Sequence, residues 1–134
     1  YLVGDKFRLS NMSESDIGLD VVAQIKEYSG NWETLKEKIS GRVIEYATEQ
    51  DAIDARNGGD PGDLNSGTGS VNDTGWLALS DWESSDQEII DTVMNQNDKR
   101  HFVLWIEVDD DAEDEIAGKS VNMNIEFTGT QVTE

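Results

Sequence analysis

A two-residue alternation of apolar and polar side chains constrains the fold of this chain more than any other feature. Between Ile17 and Lys26 every odd-numbered position is apolar, and the same spacing runs from Val121 to Phe127. Phe7 and Leu9 repeat it near the start of the chain. Successive side chains of a strand point to opposite faces of a sheet, so this spacing predicts strands with one buried face.

Three further segments predict strands of other kinds. His101–Val108 is apolar at both parities, which predicts either a central strand covered on both faces or a strand whose second face contacts a partner. Arg42–Ala47 and Trp76–Trp82 are shorter strand predictions. Strands of this number and length fit one domain, so we expect residues 1–134 to form a single all-β unit.

Short helices are indicated where a capping residue precedes apolar side chains at helical spacing. The candidates follow Asn31, Thr48 and Ser85, and the last of them has an apolar stripe from Ile89 to Met94. We expect one or two of these helices to be inserted into the β framework.

The charge of the chain restricts its partners. The sequence has 10 Lys and Arg against 29 Asp and Glu, a net charge of −19. Phosphate recognition needs a basic surface, so nucleic acid and anionic membranes are disfavoured as partners. No apolar run approaches the roughly 18 residues of a membrane-spanning helix, so no span is predicted. Salt of about 1 M shortens the Debye length to roughly 3 Å and screens self-repulsion, which favours a halophilic source over an acidic surface protein from ordinary salt.

The residue types needed for catalysis are scarce. The chain has no cysteine, which excludes disulfides, thiolate metal sites and cysteine nucleophiles. His101 is the single histidine, so a two-histidine metalloprotease site is excluded, and no GxSxG sequence accompanies it. We therefore expect no catalytic residues and no enzymatic activity.

Two loops supply hard oxygen atoms. Residues 58–75 contain half of the glycines and the only proline, and Asp109–Lys119 is strongly acidic. Carboxylate and amide oxygens are the ligands that calcium prefers, although neither loop has the EF-hand spacing. Each loop is therefore either a solvated acidic surface or a calcium site. No cofactor other than calcium is expected. The candidate ligands are Asp60, Asp63, Asn65, Asp73, Asp109 and Asp111.

Two Asn-x-Ser/Thr triplets lie in predicted turns. They begin at Asn11 and Asn72, and both would be acceptors for glycans if the chain is exported.

Four tryptophans leave core packing and surface roles open. Trp105 has the parity opposite to Phe102 and Leu104, so we expect it to face a partner. The alternative to core packing is an aromatic platform for sugars or a subunit interface. A monomeric cell-surface carbohydrate-binding sandwich would use Trp76, Trp82 and Trp105.

The two ends of the chain resemble the TasA/camelysin-type family of secreted proteins. A Gly-Asp turn leads into a first strand, an Asn-containing turn and a second strand, and the closing strand ends Phe-Thr-Gly-Thr-Gln. The resemblance covers residues 4–28 and 101–131. The residues that carry it are Gly4, Asp5, Asn11, Gly118, Phe127, Thr130 and Gln131.

This resemblance implies a jelly-roll β-sandwich that is exported and acts outside the cell or at its surface. It implies a subunit of biofilm fibres or bundling pili, polymerised head to tail by donation of an N-terminal strand to the next copy. Tyr1, Leu2 and Val3 are the candidate donor residues, with Trp105 as a further assembly residue. The family's donor stretch is longer, so either further residues precede Tyr1 or the donor lies elsewhere. The metallopeptidase activity of some relatives is not expected here, because the histidines are lacking.

Overall fold

Antiparallel strands form most of the ordered framework in the computed structural model, which describes residues 2–109 and 117–132. The elements in chain order are β1 (Leu2–Ser10), β2 (Leu19–Gly30), α1 (Trp32–Leu35), β3 (Ile39–Tyr46), α2 (Glu49–Gly58), β4 (Ser70–Asp73), β5 (Leu77–Ala78), α3 (Leu79–Ser84), β6 (Gln87–Glu88), β7 (Lys99–Val108) and β8 (Val121–Gln131).

The strands form two sheets of unequal width. The larger sheet has the order β1-β7-β3-β4, and β5 also pairs with β3. The smaller sheet has the order β6-β2-β8, in which β6 has only two residues. The predicted all-β sandwich with short inserted helices is confirmed.

The main core lies between the two sheets. The alternating apolar residues of β2 fill it from one side, as the two-residue spacing predicted, and Val43 and Phe102 fill it from the larger sheet. A second cluster covers the outer face of the larger sheet, where Val103 and Trp105 pack beneath α2. β7 is therefore covered on both faces, which confirms the first of the two alternatives for the segment His101–Val108.

Trp105 does not face a partner, so that prediction was wrong. Its side chain is 0% exposed and packs with Ile44 and Tyr46 in the second cluster. Its indole also lies over Gly4, the residue opposite it on β1, where a Cβ atom would come within 2.7 Å of the ring. The face of β7 that was expected to contact a partner is covered by helix α2 of the same chain.

Two of the predicted helices form and one does not. α1 follows Asn31, and α2 follows Thr48, whose hydroxyl accepts the backbone N–H of Asp51 at 3.1 Å. The segment after Ser85 instead runs along β2, and the N–H of Met94 donates to the carbonyl of Leu19 at 2.9 Å. Pairing with a strand buries the same apolar side chains that a helix would have buried, and it overrides the local capping signal.

The strand predicted for Trp76–Trp82 was largely wrong. Only Leu77–Ala78 is extended, and the chain then turns into α3. This turn places the Trp82 side chain in the main core, where its Nε1 donates to the carbonyl of Gly41 at 3.2 Å.

A buried ion pair fixes the glycine-rich loop onto the larger sheet. Arg42 lies on β3, and its guanidinium binds both carboxylate oxygens of Asp73 at 2.8 and 2.6 Å, with the two side chains 2% and 1% exposed. The same guanidinium donates to the carbonyls of Gly62 and Asp63. The Asp73 carboxylate in turn accepts the N–H of Asn65 at 3.0 Å. Both ends of the loop are thus tied to one side chain.

The ion pair dominates the titration of Asp73. Burial alone would raise the pKa of Asp73, but the hydrogen bonds from Arg42 and from the backbone N–H groups of Asn65 and Gly75 outweigh it and lower the pKa. The stability that the ionised carboxylate contributes is therefore present above its ordinary pKa and is lost as the pH falls.

We expect Asp73→Asn to lower the free energy of unfolding by about 3–5 kcal/mol, because it leaves the Arg42 charge buried and unpaired. Asp63→Asn is the matched control, since it removes the same charge from the same loop but its exposed carboxylate makes no hydrogen bond to another described residue. Guanidinium unfolding in 2 M salt measures both. Equal losses in the two variants would contradict this account of the ion pair.

Candidate interaction site on the open flank

One side of the sandwich is not closed. β1 forms one edge of the larger sheet and β8 forms one edge of the smaller sheet, and a cavity of about 650 Å³ opens between them. We call this cavity and its two strand edges the open flank. Its volume falls within the range of roughly 300–1,000 Å³ that is typical of ligand pockets. The apolar lining consists of Phe7, Leu9, Leu104, Ile106, Met123, Ile125 and Phe127.

Aromatic contacts close part of this gap. Phe7 stacks on Phe102 with centroids 4.9 Å apart, and it contacts Phe127 of β8 at 5.1 Å. Beyond these rings the apolar surface is open: Val3 is 44% exposed and Phe127 is 37% exposed. The described chain provides no strand beyond β8 to cover the inner face of β1.

Both strands of the flank have a free backbone edge. β1 pairs only with β7 and β8 pairs only with β2 within the described residues, and they are 9 and 11 residues long. An unpaired edge of this length offers N–H and C=O groups to another strand. Charged side chains that would disfavour edge pairing are few on β8, which carries only Glu126, whereas β1 carries Asp5, Lys6 and Arg8.

The flank is also electrically neutral. β1 contains Asp5, Lys6 and Arg8, and with Glu126 of β8 the two strands have no net charge. The whole chain has a net charge of −19. The flank is therefore a place where a second acidic molecule meets little repulsion.

The predicted assembly residues lie partly at this flank. Leu2 and Val3 belong to β1 and pair with Glu107 and Ile106 of their own chain. Tyr1 lies outside the described residues. Their role as donors stays a prediction, and the flank itself is the feature that the sequence did not reveal.

The residues of the family resemblance have local structural roles. Gly118 has a φ of 72° in the turn before β8, and Phe127 lines the flank. Asp5 pairs with Leu104, while Thr130 and Gln131 pair with Asp20 and Leu19 in the smaller sheet.

The predicted tryptophan platform does not form. Trp82 and Trp105 are 2% and 0% exposed, so neither can contact a sugar. Trp76 is half-buried and lies beneath the Arg42 guanidinium, 5.7 Å from its centre. The exposed aromatic ring is instead that of Tyr28, which stacks on the buried Trp32 at 4.1 Å.

The candidate calcium ligands do not converge. Asp63 and Asn65 engage the Arg42–Asp73 pair through their backbones, and the Asp60 carboxylate accepts the N–H of Gly62. Asp109 lies at the end of β7, where its N–H donates to Lys38, and Asp111 is outside the described residues. In residues 2–109 and 117–132 no three acidic or histidine side chains lie close enough to hold one metal ion.

The two glycosylation candidates differ in access. The side-chain nitrogen of Asn11 donates to the carbonyls of Ile17 and Met94 at 2.7 and 3.0 Å, and the residue is 1% exposed. A glycan on that nitrogen has no room in the folded chain, so the prediction for Asn11 was wrong. Asn72 lies half-buried on β4 and stays a prediction.

Comparisons with protein-family models, with curated proteins and with solved structures gave no match. No helix in the described part of the chain is long and apolar enough to cross a membrane.

The carboxyl groups of Glu88 and Asp20 interact on the outer face of the smaller sheet. A hydrogen bond with Asp20 raises the pKa of Glu88 to about 7, and burial and the charge of Asp20 act in the same direction. A carboxyl whose pKa is raised on folding stabilises the protein at low pH, and that stability is lost as the pH rises from its ordinary value towards 7.

We expect Glu88→Gln to flatten the decline of stability between pH 4.5 and 7 and to raise the melting temperature at pH 8, because glutamine cannot ionise against Asp20. Thermal melts in 2 M NaCl, which screens general repulsion, provide the measurement. Glu126→Gln on the same face of β8 is the control. Identical pH curves for the two variants would contradict the raised pKa of Glu88.

Proposed function

We propose that this protein is a structural subunit of an extracellular filament. In this proposal the open flank of each copy receives a strand from a neighbouring copy, which extends the smaller sheet along the free edge of β8. The observation that most directly supports this proposal is the apolar gap between β1 and β8, which no described segment of the chain fills.

The geometry of the flank supports strand donation. An added strand would satisfy the free backbone groups of β8, and its alternate side chains would enter the gap beside Ile106 and Ile125. Each large apolar side chain buried there contributes roughly 1.5–3 kcal/mol. A few such residues are sufficient for a stable contact between copies.

Such a contact is heterologous, because the donated strand and the accepting flank are different surfaces. Contacts of this kind that do not close into a ring build an open filament. The resemblance of the chain ends to fibre-forming secreted proteins supports the same conclusion independently of the flank.

The net charge of −19 sets the conditions for assembly. Copies repel one another except at the neutral flank, and salt screens that repulsion. A halophilic source stays a prediction, and we propose filament formation in concentrated salt.

We expect Ile125→Asp and Val3→Asp to abolish filaments in 2 M NaCl, because Ile125 lines the apolar gap and Val3 is the exposed apolar residue paired with Ile106 of its lining. Val3 is 44% exposed, so its substitution leaves the core intact. Asn122→Asp is the matched control, since it adds the same charge to an exposed position of β8 that does not line the cavity. Electron microscopy and sedimentation velocity measure assembly, and circular dichroism checks folding. Filaments in all three variants would refute assembly through the flank.

A second candidate function, a monomeric carbohydrate-binding module, is favoured by Tyr28. Its ring is 45% exposed, and cavities of about 200 and 420 Å³ lie on either side of it. Glu27 and Asn124, joined by a hydrogen bond at 3.1 Å, offer polar groups to a sugar. This candidate replaces the predicted tryptophan platform.

We expect a single monomer peak at high concentration and quenching of tryptophan fluorescence by cellohexaose or maltoheptaose if this second function holds. Tyr28→Ala would abolish the quenching and Tyr28→Phe would retain it, because stacking needs the ring and not the hydroxyl. No fluorescence change at millimolar oligosaccharide in the wild-type protein would exclude this candidate.

A further inference from the structure

Several positive side chains gather on the outer face of the larger sheet. Lys6 and Arg8 lie on β1, and Lys99 and His101 lie beside them on β7, where the register pairs Arg8 with His101. We call these four residues the basic patch. It is a local exception on a chain with 29 acidic residues.

Much of the charge of the basic patch is not neutralised by the described residues. Lys6 contacts Glu49 at 3.8 Å, whereas the exposed side chains of Arg8 and Lys99 form no ion pair within residues 2–109 and 117–132. Other cations of the same sheet are paired: Arg42 binds Asp73 at 2.6 Å, and Arg100 binds a carboxylate at 3.2 Å.

The local field acts on the histidine of the patch. Burial lowers the pKa of His101 most, and the nearby charges of Lys6, Arg8 and Lys99 lower it further against an opposing effect of Glu49. Lys6, Arg8 and Lys99 therefore lie close enough to act as one positive surface around His101, whose lowered pKa leaves it neutral near pH 7.

The basic patch borders the open flank. β1 presents Phe7 and Leu9 to the gap on its inner face, and Lys6 and Arg8 on its outer face. Arg8 also borders the cavity itself. A molecule that enters the flank therefore passes the patch at the edge of β1.

We infer that the basic patch binds an acidic surface of the neighbouring copy whose strand occupies the open flank. This inference rests on the proposed function. The neighbour is an identical chain with a net charge of −19, so it offers carboxylates opposite almost any point of contact. Complementary charge of this kind steers the encounter and disfavours other orientations, while the apolar gap holds the strand. The patch thereby fixes the polarity of the filament.

The test compares two double variants of equal net charge. Arg8→Glu with Lys99→Glu reverses the patch, whereas Lys26→Glu with Arg56→Glu reverses two exposed cations elsewhere. We expect the patch variant to raise the critical concentration for filaments in 0.15 M NaCl roughly tenfold relative to the control variant. The difference disappears in 2 M NaCl, because salt screens the contact. Equal critical concentrations in low salt would overturn the inference while leaving the proposed function intact.

A second measurement does not require filaments. Both double variants are placed in the Ile125→Asp background, and static light scattering gives the second virial coefficient of each monomer in 0.15 M NaCl. We expect a larger, more repulsive coefficient for the patch variant. That result in a wild-type protein that forms no filaments would show attraction between the patch and other copies, but it would remove the proposed function and with it the filament contact inferred here. Equal coefficients for the two double variants would overturn the inference. If alginate also binds and only the patch reversal abolishes that binding, the patch belongs to an anionic polysaccharide.

Discussion

The unequal width of the two sheets is the constraint on which the rest of the structure depends. A sheet is stable when its apolar face is covered, and the smaller sheet covers only part of the larger one. On the outer face of the larger sheet, α2 covers the apolar side chains by packing over Trp105. On the inner face, no described element covers the apolar side chains beside β8, and Val3 and Phe127 are exposed. The open flank is the direct consequence.

The buried pair of Arg42 and Asp73 explains how a long glycine-rich segment acquires a defined structure. Burial of a lone charge is costly, but here the guanidinium meets a carboxylate and two loop carbonyls, which together satisfy it. The arrangement resembles a cation site in which the cation is a side chain. The oxygen atoms of loop residues such as Asp63 therefore surround the Arg42 guanidinium and do not form a metal site among the described residues.

The distribution of charge gives the molecule distinct surfaces. The chain as a whole is strongly acidic, whereas the two strands of the flank have no net charge, because Lys6 and Arg8 of the basic patch offset Asp5 and Glu126. General repulsion disfavours random contacts between copies, and the two exceptional surfaces lie on either side of β1. Attraction is thereby confined to one region of the sandwich, as a directional assembly requires.

The sequence by itself determined the strands, because the two-residue spacing of β2 and β8 is a local property of the chain. It also predicted that both faces of β7 are apolar, without deciding whether the chain itself or a partner covers the second face, and that a helix begins after Thr48. Only the tertiary structure decided which sheet each strand joins, since one spacing fits many partners. It turned Trp105 inward under α2 and drew the segment ending at Met94 onto β2. The open flank is a gap between strands distant in sequence, and the balance of burial across two sheets creates it.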